Sequence, residues 1–235
     1  MILSFMGMLL LCCAAMLGYF SYRRFVEYRR DKKNTVNYHY WLAALALSFG
    51  FAFYSIPSVF WGSNSALLVA GVIVATILNA IGFGHFLLIP LYTRFSYKNF
   101  VISKYLLYLS ITIIAGLLIM MPPASYLDAS HVIHWQFSRI ESWFMLLFIC
   151  TAFTLNLLLL GHHVKKLITF SFTNTMALIF TFLTTGIGGG YMYIGNNSIL
   201  LVLATVFLYI GISIIFVASL QTAIRLKKAA NVESE

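Results

Sequence analysis

Acidic side chains are nearly missing from this chain. Six Asp and Glu occur in 235 residues. Each of them, Glu27, Asp31, Asp128, Glu141, Glu233 and Glu235, falls in a break, in a tail or at the edge of an apolar run. A proton-coupled pump or an intramembrane aspartyl protease needs a carboxylate deep in a span, so both lack their central acid. Lysine is likewise missing from the depth of the last apolar run, which removes the anchor of a retinal Schiff base. Cysteine is scarce: Cys12, Cys13 and Cys150 lie inside apolar runs, and adjacent Cys12 and Cys13 are poorly placed to bridge each other. Neither a disulfide framework nor a zinc spacing results. HExxH and GxSxG are absent as well. Charged residues make up 9% of the chain and apolar ones 61%, whereas a soluble domain carries about 25% charged residues. This composition cannot clothe a solvated surface and leaves no room for a fused catalytic or nucleic-acid-binding module.

What is present is a series of apolar runs, each near the ~20 residues that one helical bilayer crossing needs. They fall at about 2–22, 40–61, 66–92, 100–121, 142–161, 168–194 and 198–223. Stretches such as Leu42 to Phe53 are apolar on every side, unlike the alternating strands of a membrane barrel, and only helices satisfy such backbone in lipid. The expected fold is an all-α, integral membrane seven-helix bundle over residues 1–223, followed by a short tail at 224–235. No basic residue precedes the first run, and Arg23 and Arg24 follow it, so a retained helix is expected rather than a cleaved signal peptide.

The net charge of +9 reports topology first. Every Lys and Arg except Arg139 falls on one side of a seven-span arrangement, six of them between Tyr22 and His39. The positive-inside rule then places the N-terminus outside and the C-terminus in the cytoplasm. Tyr19, Tyr22, Tyr38, Tyr40 and Trp41 flank the inner boundary, and Trp61, Trp135, Trp143, Tyr191 and Tyr193 cluster near outer ends, as an aromatic belt would. The outer segment from Ala124 to Glu141 is expected to hold a short interfacial helix that rests Val132, Ile133, Trp135 and Phe137 on the headgroups. The basic first inner loop suits anionic membrane lipids or a protein partner.

Polar groups inside the runs are few: Asn79, His85, Asn156 and Asn174, with scattered Ser and Thr. In the sixth span Asn174, Thr181, Thr185 and Gly188 share one face, which should look at protein. Gly186 to Gly190 in the same span permits either close helix packing or a ligand-lined break. Thr205, Tyr209 and Ser213 make a comparable stripe on the seventh span. Asn79, Thr181, Thr185, Tyr209 and Ser213 are therefore the candidate ligand-lining residues. Asp128, His131 and His134 fall three apart, on one flank if the segment is helical, as a candidate copper or zinc site. His85 with His162, from a cluster that includes His39 and His163, is a candidate pair of b-type haem ligands. Packing is the plainer explanation of the glycine stretch and an ordinary hydrogen-bonded side chain that of the histidines, and the expected resident cofactor is none.

The layout resembles the amino-terminal seven-helix sensor regions of bacterial histidine kinases and related cyclic-dinucleotide enzymes. The likeness rests on Tyr22-Arg23-Arg24 at the end of the first helix, the run Trp41 to Leu47, and the third-span exit Pro90-Leu91-Tyr92-Thr93-Arg94-Phe95. It implies a sensing role, and it carries over no ligand residue. That family continues into kinase or cyclase domains, whereas about ten residues follow Arg225 here, so a sensor of this kind would signal through another chain. The expected function is non-enzymatic: a receptor-like or accessory protein that binds a small neutral or lipid-derived ligand within the bundle and acts through a partner membrane or cytoplasmic protein, with no nucleic acid involved. A transporter or channel for an uncharged solute, a membrane cytochrome and a structural subunit of a larger complex are the alternatives. Uncleaved multispanning helices suit a bacterial inner membrane.

Overall fold

The computed structural model describes residues 4–61, 64–94, 97–166 and 172–232, with side chains described except at 93–94, 97–100, 159–166, 172–179, 182, 219 and 222–232. Among these residues run seven helices: α1 (Phe5–Arg30), α2 (Thr35–Phe60), α3 (Ser65–Arg94), α4 (Tyr97–Met120), α5 (Arg139–Lys166), α6 (Phe172–Ile194) and α7 (Ser198–Val232). Two short strands, β1 (Tyr126–Leu127) and β2 (Ile133–His134), lie between α4 and α5. Six of the helices hold a stretch long and apolar enough to cross a membrane. The chain is thus an all-α bundle of the multi-pass membrane kind.

The polar residues of the breaks act as caps. Ser4 accepts the Gly7 N–H, Asn34 that of Asn37, Asn64 that of Leu67 and Asn197 that of Leu200, at 3.0–3.2 Å. Successive helices run antiparallel. Ser21 reaches the Trp41 carbonyl and Ser48 the Ala14 carbonyl between α1 and α2. Around the bundle α1, α2, α3, α5, α6 and α7 each pack on the next, and α7 closes onto α1. α4 lies outside this ring against α3 and touches α5 only sparsely. The outer surface is greasy, with Ile119, Met120, Leu147 and Ile199 all largely exposed, the pattern of a bundle solvated by hydrocarbon rather than by water.

Two prolines interrupt helical hydrogen bonding, and at each a neighbouring helix closes on the freed carbonyl. Pro57 offers no N–H to the Phe53 carbonyl. Gly71 of α3 closes on that carbonyl and on the proline ring, where an added Cβ would stand 2.7 Å from each. Pro90 likewise offers none to Phe86, and Asn156 of α5 donates its amide to the Phe86 carbonyl at 3.0 Å. α6 is continuous through Gly186 to Gly190. Gly188 abuts the Ala204 carbonyl and Leu208 of α7, and Gly190 abuts Leu146 of α5. The small residues serve close packing, and the alternative of a break in this helix is not what forms.

Candidate functional site

The segment after α4 is a hairpin rather than the expected interfacial helix. Tyr126 pairs with His134 and Leu127 with Ile133 in antiparallel register. The turn is made by Asp128, whose Oδ1 accepts the backbone N–H of Ser130 at 2.8 Å and of Val132 at 2.9 Å. His131 takes a left-handed φ of 58°. Side-chain capture of backbone donors by aspartate competes with helix, and here it wins. Val132, Ile133 and Trp135 are buried against the bundle rather than laid on headgroups.

Polar latches and ring contacts fasten this hairpin to four helices. Ser4, at the head of α1, donates to the His131 carbonyl at 2.8 Å. Ser198, at the head of α7, donates to Asp128 Oδ2 at 2.8 Å. Trp135 stacks on Tyr54 of α2 with centroids 4.5 Å apart, and Phe137 meets Tyr193 of α6 at 5.1 Å. Burial alone would raise the Asp128 carboxyl; the hydrogen bonds from Val132, Ser198, His134 and Ser130 outweigh it and hold the group at about 2.

Asp128, His134 and Ser198 form a triangle, with His134 Nε2 3.1 Å from Asp128 Oδ2 and 3.2 Å from Ser198 Oγ. A nucleophilic relay needs carboxylate and hydroxyl on opposite ring nitrogens. Here both meet Nε2 and the hydroxyl donates to the carboxylate, so the triangle is a latch.

Beneath the hairpin lies a buried polar network in an apolar setting. Tyr54 Oη lies 2.8 Å from Thr76 Oγ1 of α3 and 3.0 Å from Tyr193 Oη. Asn79, one turn further along α3, donates to Tyr193 Oη at 3.4 Å. Gly50, one turn before Tyr54, lets the Asn79 amide press against α2; any Cβ there would collide with its oxygen. Asn79 Oδ1 and Trp135 Nε1 are buried without a hydrogen-bond partner among the described residues. The arrangement can donate to and accept from a small neutral polar group, and it presents no charge.

Of the residues selected from sequence, Asn79 alone belongs to this network. Thr181 and Thr185 are buried, and they face Gly211 of α7 across a closed seam. Tyr209 packs against the core that α1, α2, α3, α6, α7 and the hairpin share, and Ser213 reaches Met16 of α1 at 3.6 Å. The five therefore do not line one space. Asn174, His162 and His163 have side chains outside the described residues. His85 contacts His39, Nδ1 to Nδ1 at 3.0 Å, which leaves no place for a haem plane between these two rings; the pairing of His85 with His162 falls on a side chain outside the described residues. The Asp128–His131–His134 candidate loses its helical premise. Asp128 and His134 touch, while among the described residues no three metal-ligating side chains converge.

Tyr54, Thr76 and Tyr193 were missed. The usable signals were the spacing of three between Thr76 and Asn79 and of four between Gly50 and Tyr54, each of which places the pair on one helix face. Trp135 and Tyr193 had the composition of belt anchors, yet both are buried, whereas Trp61 and Trp143 are exposed as a belt requires. No family model and no curated protein matches this chain.

Proposed function

We propose that this chain is a seven-span receptor-like membrane protein, N-terminus outside and C-terminus in the cytoplasm, that binds a small neutral or lipid-derived ligand under the hairpin and acts through a partner protein. The observation that carries this reading is the Tyr54–Thr76–Asn79–Tyr193 network, with Asn79 Oδ1 and Trp135 Nε1 beside it left without partners among the described residues. Buried polar groups without partners cost about 1–3 kcal/mol each, so a ligand that offers one donor and one acceptor is favoured there. A charged ligand would find no counter-charge.

The route to a partner is mechanical. A ligand at the network competes with the Trp135–Tyr54 stack, and the hairpin is tied to the first residues of α1 and α7. α1 is 26 residues long, about 39 Å at 1.5 Å per residue. It connects the Ser4 latch to the basic residues Arg29 and Arg30 at its far end. A ligand that favours one hairpin position over another thereby shifts α1 relative to its neighbours. The unbroken α6 supports sensing over passage of a solute, since a transporter site usually needs a discontinuous helix. A bacterial inner membrane and an output chain like those of the sensor kinases complete the proposal.

The test uses Trp135 as reporter. With Trp41, Trp61 and Trp143 changed to Phe, the emission of the remaining tryptophan is followed while neutral alcohols, amides and lipid-extract fractions are added to purified protein. Saturable quenching that disappears in Asn79→Leu and Tyr193→Phe is expected. No saturable change with any of these, in a variant whose Trp135 emission confirms burial, overturns the proposal.

A further inference from the structure

A second site lies on the other side of Thr76. Glu141 sits in the first turn of α5 and is only 3% exposed. It completes a capping box: its Oε2 accepts the Ser138 N–H at 2.8 Å, and the Ser138 hydroxyl accepts the Glu141 N–H at 3.3 Å. The other oxygen, Oε1, is buried with no hydrogen-bond partner among the described residues. Glu141 and Thr76 are the polar residues lining a narrow crevice between α3, α4 and α5, whose floor is Ile114, Leu118 and Met145. The half-buried Leu117 and Phe144 form its mouth.

We propose that this crevice binds the primary ammonium head of a membrane amphiphile, with Glu141 as its counter-ion. Cap geometry commits one carboxylate oxygen and leaves the other directed at apolar walls, where an unpaired acceptor is costly. The space beside it takes about one water-sized group, and an ammonium of that size brings three N–H donors. One of those donors answers Glu141 Oε1, while the Thr76 hydroxyl is already engaged by Tyr54 Oη. An anionic head is repelled, and a quaternary ammonium is too bulky and has no N–H to give. The tail has a path, because α4 touches α5 sparsely and its outward face carries Ile113 and Ile119. The first turn of α5 lies at the hairpin end of the bundle, so the head enters from that end while the tail runs along the outward face of α4. This site stands on Glu141 and the α3–α4–α5 crevice, and it holds whether or not the network beneath the hairpin binds a ligand.

Binding of dodecylamine, dodecanol, dodecyltrimethylammonium and dodecanoate to the purified full chain in non-ionic detergent, read by native mass spectrometry, tests it. Dodecylamine should bind at least about tenfold more tightly than dodecanol, the return expected of one charge-assisted hydrogen bond. Glu141→Gln keeps the capping box, since Gln serves at that position, and should reduce dodecylamine to the level of dodecanol. Leu117→Trp leaves the cap untouched and should block both by closing the mouth. The same variants in nanodiscs containing phosphatidylethanolamine and phosphatidylcholine identify the source. Selective retention of phosphatidylethanolamine by the unaltered chain, lost in Glu141→Gln, assigns a resident aminolipid. Dodecylamine preference without such retention assigns a diffusible long-chain amine. Equal affinity for amine and alcohol in the unaltered chain, or an amine preference that survives Glu141→Gln, overturns the proposal.

Discussion

If one carboxylate latches the hairpin, Asp128→Ala should loosen it without unfolding the bundle. Asp128 accepts the N–H groups of Ser130 and Val132 and the Ser198 hydroxyl at 2.8–2.9 Å, and it meets His134 Nε2 at 3.1 Å. A hydrogen bond to a charged group contributes about 1.5–3 kcal/mol when buried. The Asp128 side chain is 20% exposed, and solvent competition at such a site brings the whole set down to about 2–4 kcal/mol rather than its full sum. At 1.4 kcal/mol per factor of ten, the hairpin opening constant should rise about 30- to 700-fold. Hydrogen exchange of the Ser130 and Val132 amides, compared with core amides of α2 in the same sample, reads that change directly. Asp128→Asn keeps an acceptor oxygen without the charge and should fall between the two. The pH dependence follows from the low carboxyl value. A group held at about 2 against an ordinary 3.8 contributes in full above the higher value and loses that contribution as pH falls toward the lower one. The latch is therefore insensitive to Asp128 titration at neutral pH and slackens only below about pH 4. Unchanged exchange at Val132 in Asp128→Ala, or an Asp128→Asn variant as loose as the alanine one, would refute the reasoning.

Two further outcomes concern how the helices close on each other. Asn156→Leu withdraws the amide that Phe86 receives from α5 and should destabilise the detergent-solubilised chain by about 0.6–1.7 kcal/mol. In a Pro90→Ala background, where the backbone N–H returns, the same change should cost much less; equal costs in a thermal-unfolding double-mutant cycle contradict the proline account. Gly211→Val places carbon against Thr184 Oγ1 at 2.7 Å and the Thr181 carbonyl at 3.1 Å, and should lower stability by about 1–3 kcal/mol. Gly116→Ala on α4 meets nothing within 4 Å and should be neutral or stabilising by up to about 1 kcal/mol; a ranking of the two variants the other way round by melting temperature would mean that α6 and α7 are not in close contact there.

The helices were legible because an apolar run of some twenty residues has one stable form in lipid. α3 begins and ends within two residues of the stretch expected from hydropathy, and α2 ends within one but begins five earlier. The hairpin was not legible, since strands as short as Tyr126–Leu127 and Ile133–His134 carry no alternation to read. Its turn depends on where one aspartate sends its side chain. Apolar character cannot say whether a residue meets lipid or protein: Trp135 and Trp143 look alike in sequence, yet one is buried on Tyr54 and the other faces outward. The threonine face of α6 was correctly expected to look at protein. That its partner would be Gly211 rather than a ligand depends on the rotation of α7, which no local pattern encodes.

Hydrogen bonding separates the structural polar groups of this bundle from those that can act. Ser48, Thr184 and Thr205 donate to helix carbonyls at 2.7–2.9 Å, and Asn156 answers the gap left by Pro90. Each serves backbone that lies within the hydrocarbon span and has no water to call on. Thr181 and Thr185 have buried hydroxyls without partners among the described residues, but a hydroxyl is a free rotor that reaches a carbonyl of its own helix at little cost. The Asn79 amide is braced between Gly50 and Tyr193, the Trp135 indole is fixed by its stack, and the Glu141 carboxylate is fixed by its cap. None of these three can turn away to find a partner. Trp135 and Glu141 lie at the hairpin end of the bundle and Asn79 at the middle of α3, and Thr76 touches both the tyrosine network and the Glu141 crevice. The end that carries the basic residues shows the opposite character, with Arg24 engaged by Glu27, Asn37 and the rings of Phe20 and Tyr40. The proposed recognition sites therefore share Thr76, and α1, latched to the hairpin at one end and basic at the other, is the element that links the hairpin to the basic end.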